Sequence, residues 1–104
     1  MTRLDQLFGL LASEPDDTFL NYALALELDK AGRHEESLLR FNKVIERPEP
    51  YVPAFFMAAQ MLNRLGRFDE ARDFLNRGIP EARKQNNSHA AAEMTEYLEM
   101  IGDL

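Results

Sequence analysis

The chain of 104 residues has no cysteine, no apolar run long enough to span a bilayer, and nowhere the alternating pattern of a strand. Without thiols there is neither a disulfide framework nor a thiolate metal site, which suits a reducing compartment. Asp5 interrupts the opening residues Met1–Gln6 and no long hydrophobic stretch follows. Neither a signal peptide nor a membrane span is therefore expected, and the chain reads as cytoplasmic. Basic residues are also few, 12 Lys and Arg against 18 acids for a net charge of −6, and they are spread along the chain. Phosphate neutralisation needs a clustered basic surface, so nucleic acid is not an expected partner.

Catalytic chemistry has little to work with. A nucleophilic site needs a nucleophile, a base and an orienting group together, and the candidates reduce to His34 and His89. His34 falls in a slot that Phe68 fills further on, so packing accounts for it; His89 reads as a solvated or groove-edge side chain. Glu93, Glu96 and Glu99 recur every three residues along one helical segment and read as a wet face. No enzyme activity, metal or cofactor is expected. Asn86-Asn87-Ser88 matches a glycosylation acceptor, but without a secretory signal it reads as a helix cap.

What is present is helical periodicity. With 45% apolar residues, the chain is long enough for one domain with a modest core. Six segments carry a three- and four-residue apolar spacing. Thr2 caps a first helix with Leu4, Leu7, Phe8, Leu10 and Leu11, ending at Glu14-Pro15-Asp16-Asp17. A second runs from Thr18 to Lys30, with Leu20, Leu24, Leu28 and Ala31 on one stripe, and stops at Gly32. The third spans His34 to Arg47, with Leu38, Phe41, Val44 and Ile45 inward, an outward Glu36–Arg40 pair, and Pro48 and Pro50 to stop it. The fourth opens on Pro53 and carries Phe55, Ala58, Ala59, Leu62 and Leu65. The fifth runs from Phe68 to Lys84 with Asp73 paired to Arg77 and Pro80 as a kink or early end; the last runs from His89 to Ile101. The fold class is all-α, with about six antiparallel helices.

Gly32 and Gly66 lie 34 residues apart (66 − 32), and Ala31-Gly32-Arg33-His34-Glu35-Glu36-Ser37 is repeated as Leu65-Gly66-Arg67-Phe68-Asp69-Glu70-Ala71. That period resembles the tetratricopeptide repeat, a helix pair that buries its apolar face by stacking on another pair. Phe55, Ala58, Ala59 and Leu62 match the first-helix pattern of that family, and Ala71 and Leu75 the second; Leu24, Ala25, Leu28, Ser37 and Phe41 match in the earlier copy. Asn21 stands where a large aromatic is usual, and Arg83 where the closing proline would be. The small residues Ala25, Ala59, Ser37 and Ala71 leave room for helices crossing at close range. The resemblance implies a helical-hairpin solenoid covering 1–104 as one domain. Within it, 1–16 is an N-terminal half-repeat helix, 17–50 and 51–86 are two full repeats, and 87–104 is a C-terminal capping helix.

The resemblance further implies that the first helices of successive repeats line a concave surface that holds partners. The expected groove residues are Phe19, Tyr22, Leu26 and Lys30 from the first repeat and Phe56, Met57, Gln60 and Arg64 from the second. Where one branch of the family places Lys and Asn to clamp a C-terminal carboxylate, this chain has Tyr22, Leu26 and Met57, so such a clamp is not expected. An aromatic and thioether surface rimmed by Lys30 and Arg64 suits an apolar side chain or an amphipathic helix of a protein or peptide partner. The alternative is burial of the same residues against a second copy of the chain, as a structural homo-oligomer without a separate ligand.

Overall fold

A computed structural model describes residues 1–101, and among them there are six α-helices and no strand: α1 (Arg3–Ser13), α2 (Thr18–Lys30), α3 (His34–Ile45), α4 (Val52–Arg64), α5 (Phe68–Lys84) and α6 (Ser88–Ile101). The expected C-terminal segment 87–104 thus extends past the described residues at 102–104. The chain divides into two compact units, Met1–Tyr51 with α1 to α3, and a second from Val52 on with α4 to α6.

In the first unit, Thr2 and Asp5 cap α1 reciprocally: the Thr2 hydroxyl accepts from the Asp5 N–H and the Asp5 carboxylate from the Thr2 N–H, both at 3.1 Å. The Thr2 backbone and then its hydroxyl hold the Asp5 carboxyl below its ordinary range. Leu7 and Leu11 of α1 and Leu24 and Leu28 of α2 form one buried cluster, with Leu4, Leu20 and Ala23 packed at its edge. Each such side chain taken out of water contributes roughly 1.5–3 kcal/mol. Leu10, on the same apolar count, stays 55% exposed and takes no part in that cluster. Ser37 of α3 is fully buried and donates its hydroxyl to the Ala25 carbonyl at 2.6 Å, so the small residues meet where α2 and α3 cross.

The second unit replaces that hydrogen bond with proximity. Ala58, Ala59 and Ala71 are all fully buried. Gly78 of α5 has Phe55 Cβ of α4 at 2.6 Å and Met94 Sδ of α6 at 2.8 Å from the place where a Cβ would stand, so only glycine fits. Pro80 neither stops nor divides α5: Asn76, whose carbonyl loses its helical donor to the proline, is exposed, and so is Pro80 itself. Asp73 and Arg77 pair at 3.4 Å across one turn.

Three turns share one geometry. Gly32 (φ 77°) and Gly66 (φ 76°) are left-handed, with Arg33 N–H donating to the Leu28 carbonyl and Arg67 N–H to the Leu62 carbonyl, both at 2.9 Å. Glycine takes this conformation without a Cβ clash, and the pattern satisfies the last carbonyls of α2 and α4. Asn86 (φ 61°) closes α5 the same way, with Asn87 N–H donating to the Ala82 carbonyl at 2.8 Å; the Asn87 side chain then accepts from Ala90 N–H to start α6. Ala31 and Leu65, counted on the apolar stripes, are exposed because they belong to these turns. α3 ends at Ile45, two residues short of the expected Arg47, as the chain approaches Pro48.

Candidate functional site

The first unit gathers aromatic rings around Tyr51. Phe19 and Tyr22, three apart on α2, meet the Tyr51 ring edge-on at 6.2 and 5.0 Å, and Tyr22 meets Phe41 of α3 at 6.2 Å. Phe19 remains 73% exposed, so this strip of rings faces water on one side. Burial first, and then the neighbouring Tyr51, pushes the Tyr22 hydroxyl above the ordinary tyrosine range. Leu26 is half-buried one turn further along α2; Lys30 is exposed at its end, 3.4 Å from Glu27.

In the second unit Phe56 meets Tyr97 of α6 edge-on at 5.4 Å, and the Tyr97 hydroxyl accepts from Asn63 Nδ2 at 2.9 Å. Met57 and Gln60 are half-buried and Arg64 is exposed. The eight expected groove residues therefore divide four and four between the units, and within each an α2 or α4 aromatic is seated against a tyrosine from elsewhere in that unit. Tyr51 and Tyr97 were not among the expected residues. The period places Tyr22 and Phe56 at matching positions, 34 apart (56 − 22), but carries no signal for their partners, since Tyr51 and Tyr97 follow no common spacing.

Asn21 is the other unexpected participant. It occupies the usual aromatic slot as a fully buried amide, donating to the Pro15 and Asp17 carbonyls at 3.0 and 2.8 Å and accepting from Arg40 at 3.0 Å. It joins the loop before α2 to α3. Arg40 thereby bonds Asn21, and Glu36 takes its two direct bonds, of 2.7 Å, from Arg33, while the expected partner Arg40 acts on it only through its charge. That hydrogen bonding from Arg33 holds the Glu36 carboxyl below its ordinary range.

His34 Nδ1 lies 3.2 Å from Asp29 Oδ1, outside hydrogen-bond geometry, and His89 is exposed with Nε2 3.4 Å from Glu93. Among the described residues no three His, Asp or Glu side chains come together in a way that would hold a metal ion, and no helix is long and apolar enough to cross a membrane.

No family model matches the chain, and no solved structure does. An uncharacterized protein of Methanocaldococcus jannaschii is 40% identical over 58 residues, which cover 56% of this chain and 67% of that protein. The chain belongs to the same family as that archaeal protein.

Proposed function

We propose that the chain is a small tetratricopeptide-type repeat module that binds a protein or peptide partner and acts by display, without catalysis or a cofactor, in the cytoplasm. The observation that carries this reading is the recurrence of one design in both units. A left-handed glycine closes α2 and α4 with the same hydrogen bonds, and an aromatic at the same place in the period, Tyr22 or Phe56, is braced edge-on by a tyrosine. Braced rings with a free side are the side chains that carry most of the free energy at protein interfaces, about 2 kcal/mol or more each. Phe19, Tyr22, Leu26 and Lys30, with Phe56, Met57, Gln60 and Arg64, are the proposed recognition residues of a helical-hairpin solenoid, and an apolar side chain or an amphipathic helix is the proposed ligand.

The test is capture of partners from the extract of the native host, comparing the parent chain with Tyr22→Ala/Phe56→Ala. Loss of a specific partner with helix content and melting unchanged supports display. A double variant that retains the partner overturns the assignment of these residues. One that changes only the oligomeric state replaces display by the structural homo-oligomer.

A further inference from the structure

A cavity of about 220 Å³ opens in the first unit on a side chain set that the proposed groove does not use. It is lined by Phe8 of α1, Leu28 of α2, and Glu36, Leu39, Arg40 and Lys43 of α3. Its apolar lining is Phe8, Leu28, which is fully buried, and Leu39, which keeps 70% of its surface exposed. An isolated leucine so exposed calls for no account, but one that lines a cavity beside two other apolar side chains forms a socket with them. Its rim is cationic. The Arg33 and Arg40 guanidiniums both lie 5.9 Å from the Phe8 ring centre. Arg33 is neutralised by its two bonds to Glu36, whereas Arg40 is hydrogen-bonded to the uncharged Asn21 amide. Lys43 holds Asp16 at 3.4 Å in a pair whose acid is 84% exposed, a contact that a competing carboxylate can replace at little cost.

The complement is on the same chain. α6 contains no lysine or arginine, its Glu93, Glu96 and Glu99 are exposed, and Met100 is a 76% exposed thioether on the same helix. Glu96 and Met100 are four apart, so they lie one turn from each other on one side of α6. An unbranched, flexible apolar side chain suits an irregular socket, and a carboxylate one turn away is placed for a cationic rim.

We propose that a second copy of the chain docks α6 on this cavity, with Met100 between Phe8 and Leu39 and with Glu96 and Glu99 facing Arg40 and Lys43. Because the two surfaces differ, the contact is head-to-tail, and each copy keeps one free socket and one free plug. The proposal is independent of the display reading, which uses other side chains.

The test is sedimentation equilibrium of the whole chain at low and high salt, with Arg40→Glu, Lys43→Glu and Met100→Glu. The parent should show a mass that rises with concentration at low salt and falls toward the monomer at high salt, since the rim contact is screened. Each variant alone should remain monomeric with unchanged helix content. An equimolar mixture of Lys43→Glu and Met100→Glu should recover a pair, since one copy retains the socket and the other the plug. Should Arg40→Glu lose its fold through Asn21, Lys43→Glu carries the socket side. A monomeric parent at all concentrations, association that survives the variants, or a mixture that forms no pair overturns the proposal. So does a monomeric parent that binds a synthetic acidic helix in the cavity, which would make the occupant another protein.

Discussion

The two units solve one problem, holding a helical hairpin at close range, with different chemistry. In Met1–Tyr51 the crossing of α2 and α3 is fastened by polar groups: Ser37 donates to the Ala25 carbonyl, and Asn21 gathers two carbonyls and a guanidinium. In the unit from Val52 on, the corresponding positions are Phe55 and Ala71, and the hairpin is fastened there by contact, with Gly78 letting α4 and α6 approach α5. Polar fastening is directional and fails when one partner is removed. Contact fastening tolerates loss of a bond it never had but has no room for added atoms. The turn is common to both, so what the comparison teaches is that the period fixes where helices meet and leaves the means of attachment open.

The largest effect should come from filling the contact side. Gly78→Leu places new carbon atoms where Phe55 Cβ and Met94 Sδ already stand. It should cost about 3 kcal/mol, at the upper end of ordinary overpacking, read as a fall in the urea midpoint. An unchanged midpoint would show that α5 is not tightly held and would remove the contrast. Next, Asn21→Leu supplies the apolar side chain nearer to the usual pattern and leaves two carbonyls and Arg40 without their bonds. A loss of about 1–3 kcal/mol is expected, and stabilisation would mean that the polar node is a tolerated departure and not a fastening.

The turns sharpen the comparison from the other direction. Gly32→Ala and Gly66→Ala each force a Cβ into a left-handed conformation, at about 1–2 kcal/mol, and nothing within 4 Å of either site distinguishes them. Thermal scans of the two variants should therefore agree; a clear difference would show that the two junctions are not equivalent.

The smallest expected effect is a pH dependence specific to the first unit. Tyr22 has a raised native value, so its neutral form is favoured by folding and its contribution is complete below the ordinary value of 10.0. That contribution is lost as pH rises through the raised native value. Stability of the parent should decline in that alkaline window more steeply than that of Tyr22→Phe, by urea titration across the range.

Much of this was legible because it rests on local rules. The left-handed glycines, the Thr2 cap, the bounds of α2 and the inward Phe41, Val44, Leu62 and Leu75 all follow from spacing within a few residues. Pro80 was misleading, because the cost of a proline depends on whether the carbonyl it orphans meets water, and spacing does not say which side of α5 is wet. Arg40 was read only in part for a related reason: its charge does act on Glu36, but its hydrogen bond goes to Asn21 nineteen residues away, which only the three-dimensional path of the chain brings near. Of the candidate groove, the period placed Tyr22 and Phe56 at matching positions, while their partners Tyr51 and Tyr97 come from non-equivalent places and follow no common spacing.

Those tyrosines also make the molecule its own instrument. The chain has no tryptophan and three tyrosines, two of them, Tyr22 and Tyr51, in ring contact in the first unit and the third, Tyr97, hydrogen-bonded to Asn63 in the second. Tyrosine absorbance and emission therefore arise from a pair in ring contact in one unit and a single phenol in the other. Tyr97→Phe leaves an optical signal from the first unit alone, and Tyr22→Phe/Tyr51→Phe leaves one from the second, so that the melting of each half can be watched separately without attaching a dye.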